Sequence, residues 1–561
     1  MSTIKSKKLV KRIRGPIPLI VHIAKRMKLR QILSRYIDPH GNEKIYSVDT
    51  LLLLIYNLTI EKNPLYELRE WCSTLDLPAL GLNKSAKRFN DDRFGKALDK
   101  LYEVDRSSLM TELVVSVIKE FDINLNRIHN DSTSVKAFGK IGGKTCSGLQ
   151  LKKGVSKDHR PDLKQLVFSL SISGDGAIPI HHKCYSGNRT DDTTHIETWN
   201  ILRAIVGNPQ FLYVGDSKLC TDKQLNYIVK NGGSAVTIIP ETWLEVKHFK
   251  QTLGNGTKAK KVIWRRKKPG SLDENEMEYF SVFKGTYITE KRGFTIHWIY
   301  SSEKRKRDRN AREEQIKKME DGLADINARI NTQRLKTYAE IDCAVSEVLG
   351  KSDVKSCMWY EIESKIIEYR TQIGKGRPGK TTRYRKVKEV HFMLTWGRDR
   401  KVLAQKSRLD GIFPLLCTDK SISAKKVLQA YKYQPRLEKR FEQLKKIHHI
   451  APLLFKKIQR VEANMFAFFI ALIIQSLLER EVRKNMERNN IEGMYIYPEQ
   501  RECKYPTSSI IFDRFFNVCR YEIIESNNVI ERYYDELNKT QKDILDLIGF
   551  NYKDYWNNSL M

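Results

Sequence analysis

Hydrophobic positions in the first 122 residues recur at helical spacing. The run from Leu51 to Ile60 is almost entirely apolar, and Asn90 precedes two aspartates as an N-cap precedes an acidic first turn. A further helix is expected from Ser107 to Glu120. We therefore predict a helical N-terminal domain over residues 1–122, which either binds DNA ends or packs against the rest of the chain.

The hydrophobic period changes to two after residue 122, as is typical of β-strands. Leu166, Phe168, Leu170 and Ile172 alternate with polar residues, and a Gly-Asp-Gly turn leads to a second apolar run, so the two runs predict a hairpin. An alternation of helices and strands then predicts a mixed sheet flanked by helices over residues 123–240, of α+β or α/β class. The elements expected after the hairpin are a helix over 193–206, a strand over 211–216, a helix over 222–230 and a strand over 235–239.

The block over residues 241–420 interrupts this order. Strand-like runs are followed by a charged stretch whose apolar residues are spaced three and four apart, which predicts a short coiled coil or a helical hairpin. At this length the stripe favours packing within the chain over a dimer contact. The apolar residues of that stretch are Ile316, Met319, Leu323, Ile326 and Ile330. We predict a β-rich insertion with one charged helix.

The last 141 residues are predicted to be mainly helical. Residues 421–480 return to the core with a basic helix over Tyr431–Lys446 and an apolar helix, and residues 481–561 form a C-terminal helical region. The longest apolar run, Met465 to Ile474, is shorter than the roughly 20 residues of a membrane span. It therefore predicts a buried helix and no membrane association.

Composition adds a partner to this picture. The chain has 100 Lys and Arg against 67 Asp and Glu, a formal net charge of +33, which favours a polyanion, with nucleic acid before an anionic membrane. Its nine cysteines include no CxxC pair, which argues against a structural zinc site or a disulfide framework. With no signal peptide pattern at the N-terminus, we expect a cytoplasmic, nucleoid-associated protein.

Residues 374–381 fit the pattern of a phosphate-binding loop. The mechanism of that loop requires a buried strand before it and a helix after it, whereas Lys365–Arg370 is predicted to end a helix and the following residues to form a basic strand, so nucleotide binding is not predicted. Arg377 and Lys380 lie among seven cations and no acid between residues 375 and 388. This segment either contacts a DNA backbone or minor groove, or is a linker.

Three carboxylates form the candidate catalytic set. Asp131 and Asp216 lie at the ends of predicted strands, where open α/β sheets bind their ligands. Glu438 lies on the basic helix, beside an apolar stripe. Carboxylate oxygens are the ligands that Mg²⁺ and Mn²⁺ prefer, and two such ions support in-line phosphodiester displacement.

A spacing signature surrounds Glu438. Tyr431, Glu438 and Lys445 match the order tyrosine, two residues, arginine, three residues, glutamate, six residues, lysine, although Gln434 stands at the arginine position. Together with the segments HNDSTSVKAFG, YVGDSKLCT and FNDDRFGKALDKLY, this signature resembles the DDE transposases of bacterial insertion sequences, in their YREK subgroup.

The resemblance implies an RNase H-like core, split by the long β-rich insertion, in which Asp131, Asp216 and Glu438 bind two Mg²⁺ or Mn²⁺ ions. It implies cleavage at the terminal inverted repeats of a mobile element and strand transfer into target DNA, by a homodimer that bridges both ends. Tyr431 and Lys445 would hold phosphates next to the cut, and Arg436 would partly replace the arginine missing at Gln434. The alternatives are a nuclease with the same core and a catalytically inactive DNA-binding relative.

Overall fold

The computed structural model describes residues 7–557 apart from 39–44, 83–84, 138–142, 155–162, 190–193, 255–258, 269–275, 333, 351, 447–454, 456, 500 and 527. The chain divides into two compact units. One comprises Met1–Thr237 and Lys426–Met561, and the other comprises Ile238–Lys425.

The first unit begins with a strand and a group of helices and continues into a mixed sheet. Its elements up to residue 238 are β1 (Lys7–Ile13), α1 (Ile17–Arg26), α2 (Leu29–Tyr36), α3 (Ser47–Ile60), α4 (Leu68–Thr74), α5 (Asp91–Glu103), α6 (Arg106–Phe121), β2 (Arg127–Ala137), β3 (Lys164–Ser173), β4 (Pro179–Ser186), α7 (His195–Val206), β5 (Leu212–Val214), α8 (Asp222–Lys230) and β6 (Ser234–Ile238). Asn90 caps α5 as predicted, because its side chain accepts a hydrogen bond from the backbone N–H of Arg93 at 3.0 Å.

The sheet of the first unit has the strand order β4-β3-β2-β5-β6. Strands β2, β3 and β4 are antiparallel, whereas β5 runs parallel to both β2 and β6. The predicted hairpin and the RNase H-like mixed sheet are therefore confirmed. The apolar and polar residues of β3 do not alternate between a buried and an exposed face, because Ser169 and Ser171 are as buried as the leucines. The hydroxyls of both serines accept hydrogen bonds from the Asn130 amide.

The second unit contains an antiparallel sheet, a helical pair and a long hairpin. Its elements are α9 (Leu244–Gly254), β7 (Lys260–Lys267), β8 (Met277–Phe283), β9 (Thr295–Ser301), α10 (Ser302–Arg329), α11 (Tyr338–Leu349), β10 (Met358–Gln372), β11 (Tyr384–Arg398), α12 (Arg400–Ser407) and β12 (Ile412–Cys417). The apolar stripe of α10 packs against Ile341, Val345 and Leu349 of α11, which confirms internal packing for that stripe.

The hairpin of β10 and β11 corrects one prediction. Lys365–Arg370, expected to end a helix, lies inside β10 and pairs residue by residue with β11. The run is charged on both faces and has no continuous apolar stripe, so its helical appearance did not reflect any buried face. Residues 374–381 form the turn between the two strands, which is not the strand-loop-helix context of a phosphate-binding loop.

The chain then returns to the first unit. The remaining elements are α13 (Ala424–Tyr431), α14 (Pro435–Lys446), α15 (Ile458–Arg488), β13 (Met494–Tyr495), β14 (Glu502–Cys503), α16 (Ser508–Asp513), β15 (Cys519–Glu525), β16 (Asn528–Tyr534) and α17 (Lys539–Leu547). Helix α15 is long and apolar enough to cross a membrane by composition, yet 94% of its apolar window is buried inside the protein. The prediction of a buried helix at Met465–Ile474 is confirmed.

Both terminal segments contain strands that the helical prediction missed. Strand β1 pairs antiparallel with β15, which also pairs with β16, so the two ends of the chain share a three-stranded sheet. These strands carry many charges, and β16 is exposed along its whole length. β1 and β16 bury little of their surface, and the buried positions of β15 include Arg520 and Glu522, so none of the three strands shows the apolar alternation that signals a strand.

Candidate active site

Asp131 lies inside β2, not at the strand end that the sequence predicted, and Asp216 follows the end of the neighbouring parallel strand β5 by two residues. His129 of β2 is in register with Val214 of β5. Each aspartate follows its partner of that pair by two residues, and side chains two residues apart in an extended chain point to the same face. The two carboxylates line one narrow cleft, whose other residues are Asn130, Ser132, Ser169, Thr194 and His195.

Local hydrogen bonds orient both carboxylates. Oδ1 of Asp216 caps a short 3₁₀ turn by accepting from the backbone N–H of Lys218 at 3.0 Å, and it lies 3.9 Å from Nε2 of His195. The other ring nitrogen of His195 is 3.0 Å from the hydroxyl of Tyr213. Oδ1 of Asp131 accepts from the N–H of Ser132 at 2.7 Å. The structure thus places His195 beside Asp216, a position that no motif in the sequence indicates.

The connection between Glu438 of α14 and the two aspartates is electrostatic and involves Tyr431. Glu438 is exposed on the first turn of α14, and Tyr431 ends α13. The pKa of the Tyr431 hydroxyl is raised to about 12, first by burial and then by the negative charges of Asp216, Glu438 and Asp131. All three carboxylates of the predicted set therefore contribute to the raised pKa of one hydroxyl group.

The donor set suits a hard divalent cation only in part. The two aspartates that share the cleft supply the carboxylate oxygens that Mg²⁺ and Mn²⁺ prefer. Within the described residues, however, no three His, Cys, Asp or Glu side chains lie close enough together to hold one metal ion. The aspartate pair fits part of a coordination shell, and Glu438 does not join it in this arrangement.

Gln434 is attached to the strand that carries Asp131. Its Nε2 donates to the backbone carbonyl of Asn130 at 3.5 Å, which turns Oε1 toward Nδ1 of His129 at 3.4 Å. Burial and the neighbouring Arg127 lower the pKa of His129 to about 3, so this ring is neutral and Nδ1 donates its proton to the amide. The residue at the arginine position of the signature is thus a link between α14 and β2.

A substitution of Gln434 by Arg is expected to reduce the free energy of unfolding by about 1–2 kcal/mol. A guanidinium has no acceptor for the buried Nδ1–H of His129 and adds a cation near Arg127. Urea unfolding followed by tryptophan fluorescence measures the change. Gln405→Arg, at an exposed position of α12, is the matched control and should stay within about 0.5 kcal/mol. A Gln434→Arg variant as stable as this control would contradict the linking role.

Buried ion pairs hold α14 in its place. Arg440 donates to Glu479 of α15 at 3.0 Å and to the backbone carbonyls of Gly176 and Ala177 in the turn between β3 and β4, each at 3.1 Å. Glu479 also accepts from the backbone and hydroxyl of Ser508. No sequence pattern indicates this role of Arg440, because its partner Glu479 lies 39 residues away.

The remaining predicted DNA-binding residues are spread over several surfaces. Arg436 follows Gln434 by two residues but lies about 200° around the helix from Glu438, so it does not occupy the place of the missing arginine. Arg377 and Lys380 are exposed in the turn of the β10–β11 hairpin, in the other unit. Lys445 is in α14, and its side chain lies outside the described residues.

Comparisons with known proteins give two partial similarities. Residues 10–115 match the model of a family described as a domain of unknown function, DUF4277. A cryo-EM structure of the piggyBac transposase synaptic complex with hairpin DNA aligns with 51% of this chain and 66% of its own, at 8% identity and a TM-score of 0.28. A TM-score this low does not establish a shared fold. The comparison with curated proteins gave no match.

Proposed function

We propose that the chain is a metal-dependent transposase of the insertion-sequence type, which cleaves DNA at the ends of its element and joins those ends to target DNA. The observation that carries the proposal is that Asp131, inside β2, and Asp216, two residues past the end of the parallel neighbour β5, line a common cleft. After burial, the negative charges of Asp216, Glu438 and Asp131 all contribute to the raised pKa of the Tyr431 hydroxyl. The net charge of +33 suits a DNA substrate.

The three carboxylates have separate parts in this proposal. Asp131 and Asp216 would hold a divalent cation, and Glu438 would supply a third carboxylate from α14. Such a cation, when bound, activates a water or 3′ hydroxyl and stabilises the leaving oxygen. Tyr431 is kept protonated by its surroundings, so its hydroxyl would act toward a phosphate as a hydrogen-bond donor.

His195 would keep Asp216 in position. Its Nε2 lies on the carboxylate side and its Nδ1 on the Tyr213 side, so the ring bridges the two groups. The 3.9 Å between Nε2 and Oδ1 is longer than a hydrogen bond, so His195 would hold Asp216 by packing beside it.

The test uses the full chain with double-stranded DNA that carries the inverted repeats flanking its gene. With Mg²⁺, we expect nicking at the repeat ends and joining of those ends to a plasmid. Cleavage without joining would assign a nuclease in place of a transposase, whereas salt-dependent binding with no cleavage would contradict catalysis altogether. EDTA controls establish the metal requirement.

A further inference from the structure

A large open groove lies on the face of α14 that points away from Glu438. It encloses about 1220 Å³ and is formed entirely within the first unit, by α14, α15, the turn between β3 and β4, the start of β2 and the segment before α16. Tyr433, Arg436, Lys439 and Arg440 line it from the α14 side. None of the three predicted catalytic carboxylates lines it.

The groove contains more positive charge than its carboxylates balance. Arg440 and Arg483 are paired with Glu479, at 3.0 and 3.6 Å, and Arg480 is paired with Asp175 at 2.7 Å. Five other cations of the lining have no carboxylate within ion-pair distance in the described part of the chain, namely Arg127, Arg436, Lys439, Lys484 and Lys504. The lining also contains the exposed carboxylates of Asp122, Glu487 and Glu492, which reduce the net charge without pairing with these cations.

Two of these five cations are half-buried arginines, which distinguishes this groove from a surface with scattered lysines. The guanidinium of Arg127 lies 4.9 Å from the ring centre of Tyr433, and its Nη2 donates to the backbone carbonyl of Gly174 at 3.3 Å. Burial raises the pKa of the Tyr433 hydroxyl, and the positive charge of Arg436 opposes that rise. Burial lowers the pKa of Arg483, and the same charge of Arg436 adds to that lowering. A half-buried guanidinium without a carboxylate partner in the described structure favours an anionic ligand at the groove.

We infer that this groove binds the phosphate backbone of double-stranded DNA, as a second contact surface on the helix that carries Glu438. Arginine forks suit phosphate oxygens, and the exposed ring of Tyr505 adds an aromatic surface at the same groove. Five separate cations spaced over four elements match a chain of phosphates better than one free phosphate. The inference deepens the proposed function and rests on it for the choice of DNA.

The test compares two full-length double variants, Arg436→Gln/Lys439→Gln in the groove and Lys317→Gln/Lys318→Gln on an exposed part of α10. Binding to a fluorescein-labelled duplex of about 30 base pairs without repeat sequence is measured by anisotropy in EDTA over a series of KCl concentrations. The groove variant should bind at least about tenfold more weakly at about 0.1 M KCl. The slope of log K against log salt should fall by about 1.8, since each phosphate that is no longer neutralised reduces it by about 0.9. The α10 variant, with the same change in charge, should keep its slope.

Equal weakening of binding in both variants, or unchanged binding in the groove variant, would overturn the inference. Inorganic pyrophosphate is the competitor that separates a DNA groove from a small-anion site, because displacement of the duplex at micromolar pyrophosphate would also overturn it. Since binding is measured without metal, the result is independent of catalysis. A chain that fails to cleave but shows the groove effect refutes the proposed function alone, and a chain that cleaves without the effect refutes the groove alone.

Discussion

Asp131→Asn, Asp216→Asn and Glu438→Gln are each expected to lower Mg²⁺-dependent cleavage of end DNA by about a thousandfold or more. Each change removes a negative charge and a donor oxygen from the three carboxylates that contribute to the raised pKa of Tyr431, while keeping the size of the side chain. A metal ion supplies several kcal/mol of transition-state stabilisation, and a loss of about 4 kcal/mol corresponds to three factors of ten in rate. The assay is single-turnover cleavage of labelled repeat DNA.

Glu442→Gln is the matched control for Glu438→Gln. It lies one turn further along α14 and is also exposed. We expect cleavage within about threefold of wild type, because Glu442 is not among the charges that act on Tyr431. DNA binding in EDTA should persist in all four variants. Full cleavage by Asp131→Asn, Asp216→Asn or Glu438→Gln would remove that residue from the catalytic set.

Glu479→Ala is expected to lower the free energy of unfolding by about 3–5 kcal/mol. The side chains of Glu479 and Arg440 are only 5% and 4% exposed, and the carboxylate also accepts from Gln443 and Ser508. Removal of one partner leaves the other as a buried charge without compensation, which costs more than the pair contributes. Because Arg440 holds α14 to the β3–β4 turn, cleavage should fall with stability. Urea unfolding and the cleavage assay measure the two effects.

The control for this substitution is Glu487→Ala, an exposed glutamate two turns further along α15, which should change stability by no more than about 0.5 kcal/mol. Equal stability of Glu479→Ala and Glu487→Ala would contradict this explanation of how α14 is held.

The same carboxylate gives a pH dependence of known sign. Burial would raise the pKa of Glu479, but Arg440 and Arg483 together with the Ser508 N–H outweigh it and hold the pKa below 4.5. A carboxyl whose folded pKa is depressed contributes stability above its unfolded pKa and loses that contribution as the pH falls through the folded value. Below a pH of about 4.5 the wild type should therefore lose stability more steeply than Glu479→Gln.

Much of the core could be predicted from the sequence because its elements are local and apolar. Leu166–Ile172 alternates, α8 ends at Gly-Gly, and Asn90 caps α5, and each of these signals depends on neighbours within a few residues. The strands shared by the two chain ends could not be predicted, because β1 and β15 are more than 500 residues apart and only their pairing makes them a sheet. The five-segment division at residues 122, 240, 420 and 480 stays a prediction.

The candidate site, like the fold, could be predicted from the sequence only in part. Asp216 could be named because it follows a short apolar strand, whereas Asp131, expected at a strand end, lies inside β2. The parallel register of β2 and β5 explains why the two aspartates share a cleft. The sequence could not predict the contact of Gln434 with His129, the burial of Arg440 or the groove around Arg436. Each of these depends on how α14 packs against distant strands and against α15. Spacing along a helix gives a face, whereas tertiary packing decides what that face meets.

The most direct test of the proposed metal site is the binding of Mn²⁺ to the full chain bound to repeat DNA, measured by isothermal titration calorimetry. Mn²⁺ prefers the same oxygen ligands as Mg²⁺. We expect the wild type to bind two ions, and Asp131→Asn and Asp216→Asn each to bind at least one ion fewer. Identical Mn²⁺ binding by the wild type and both variants would contradict the assignment of these two aspartates as metal ligands.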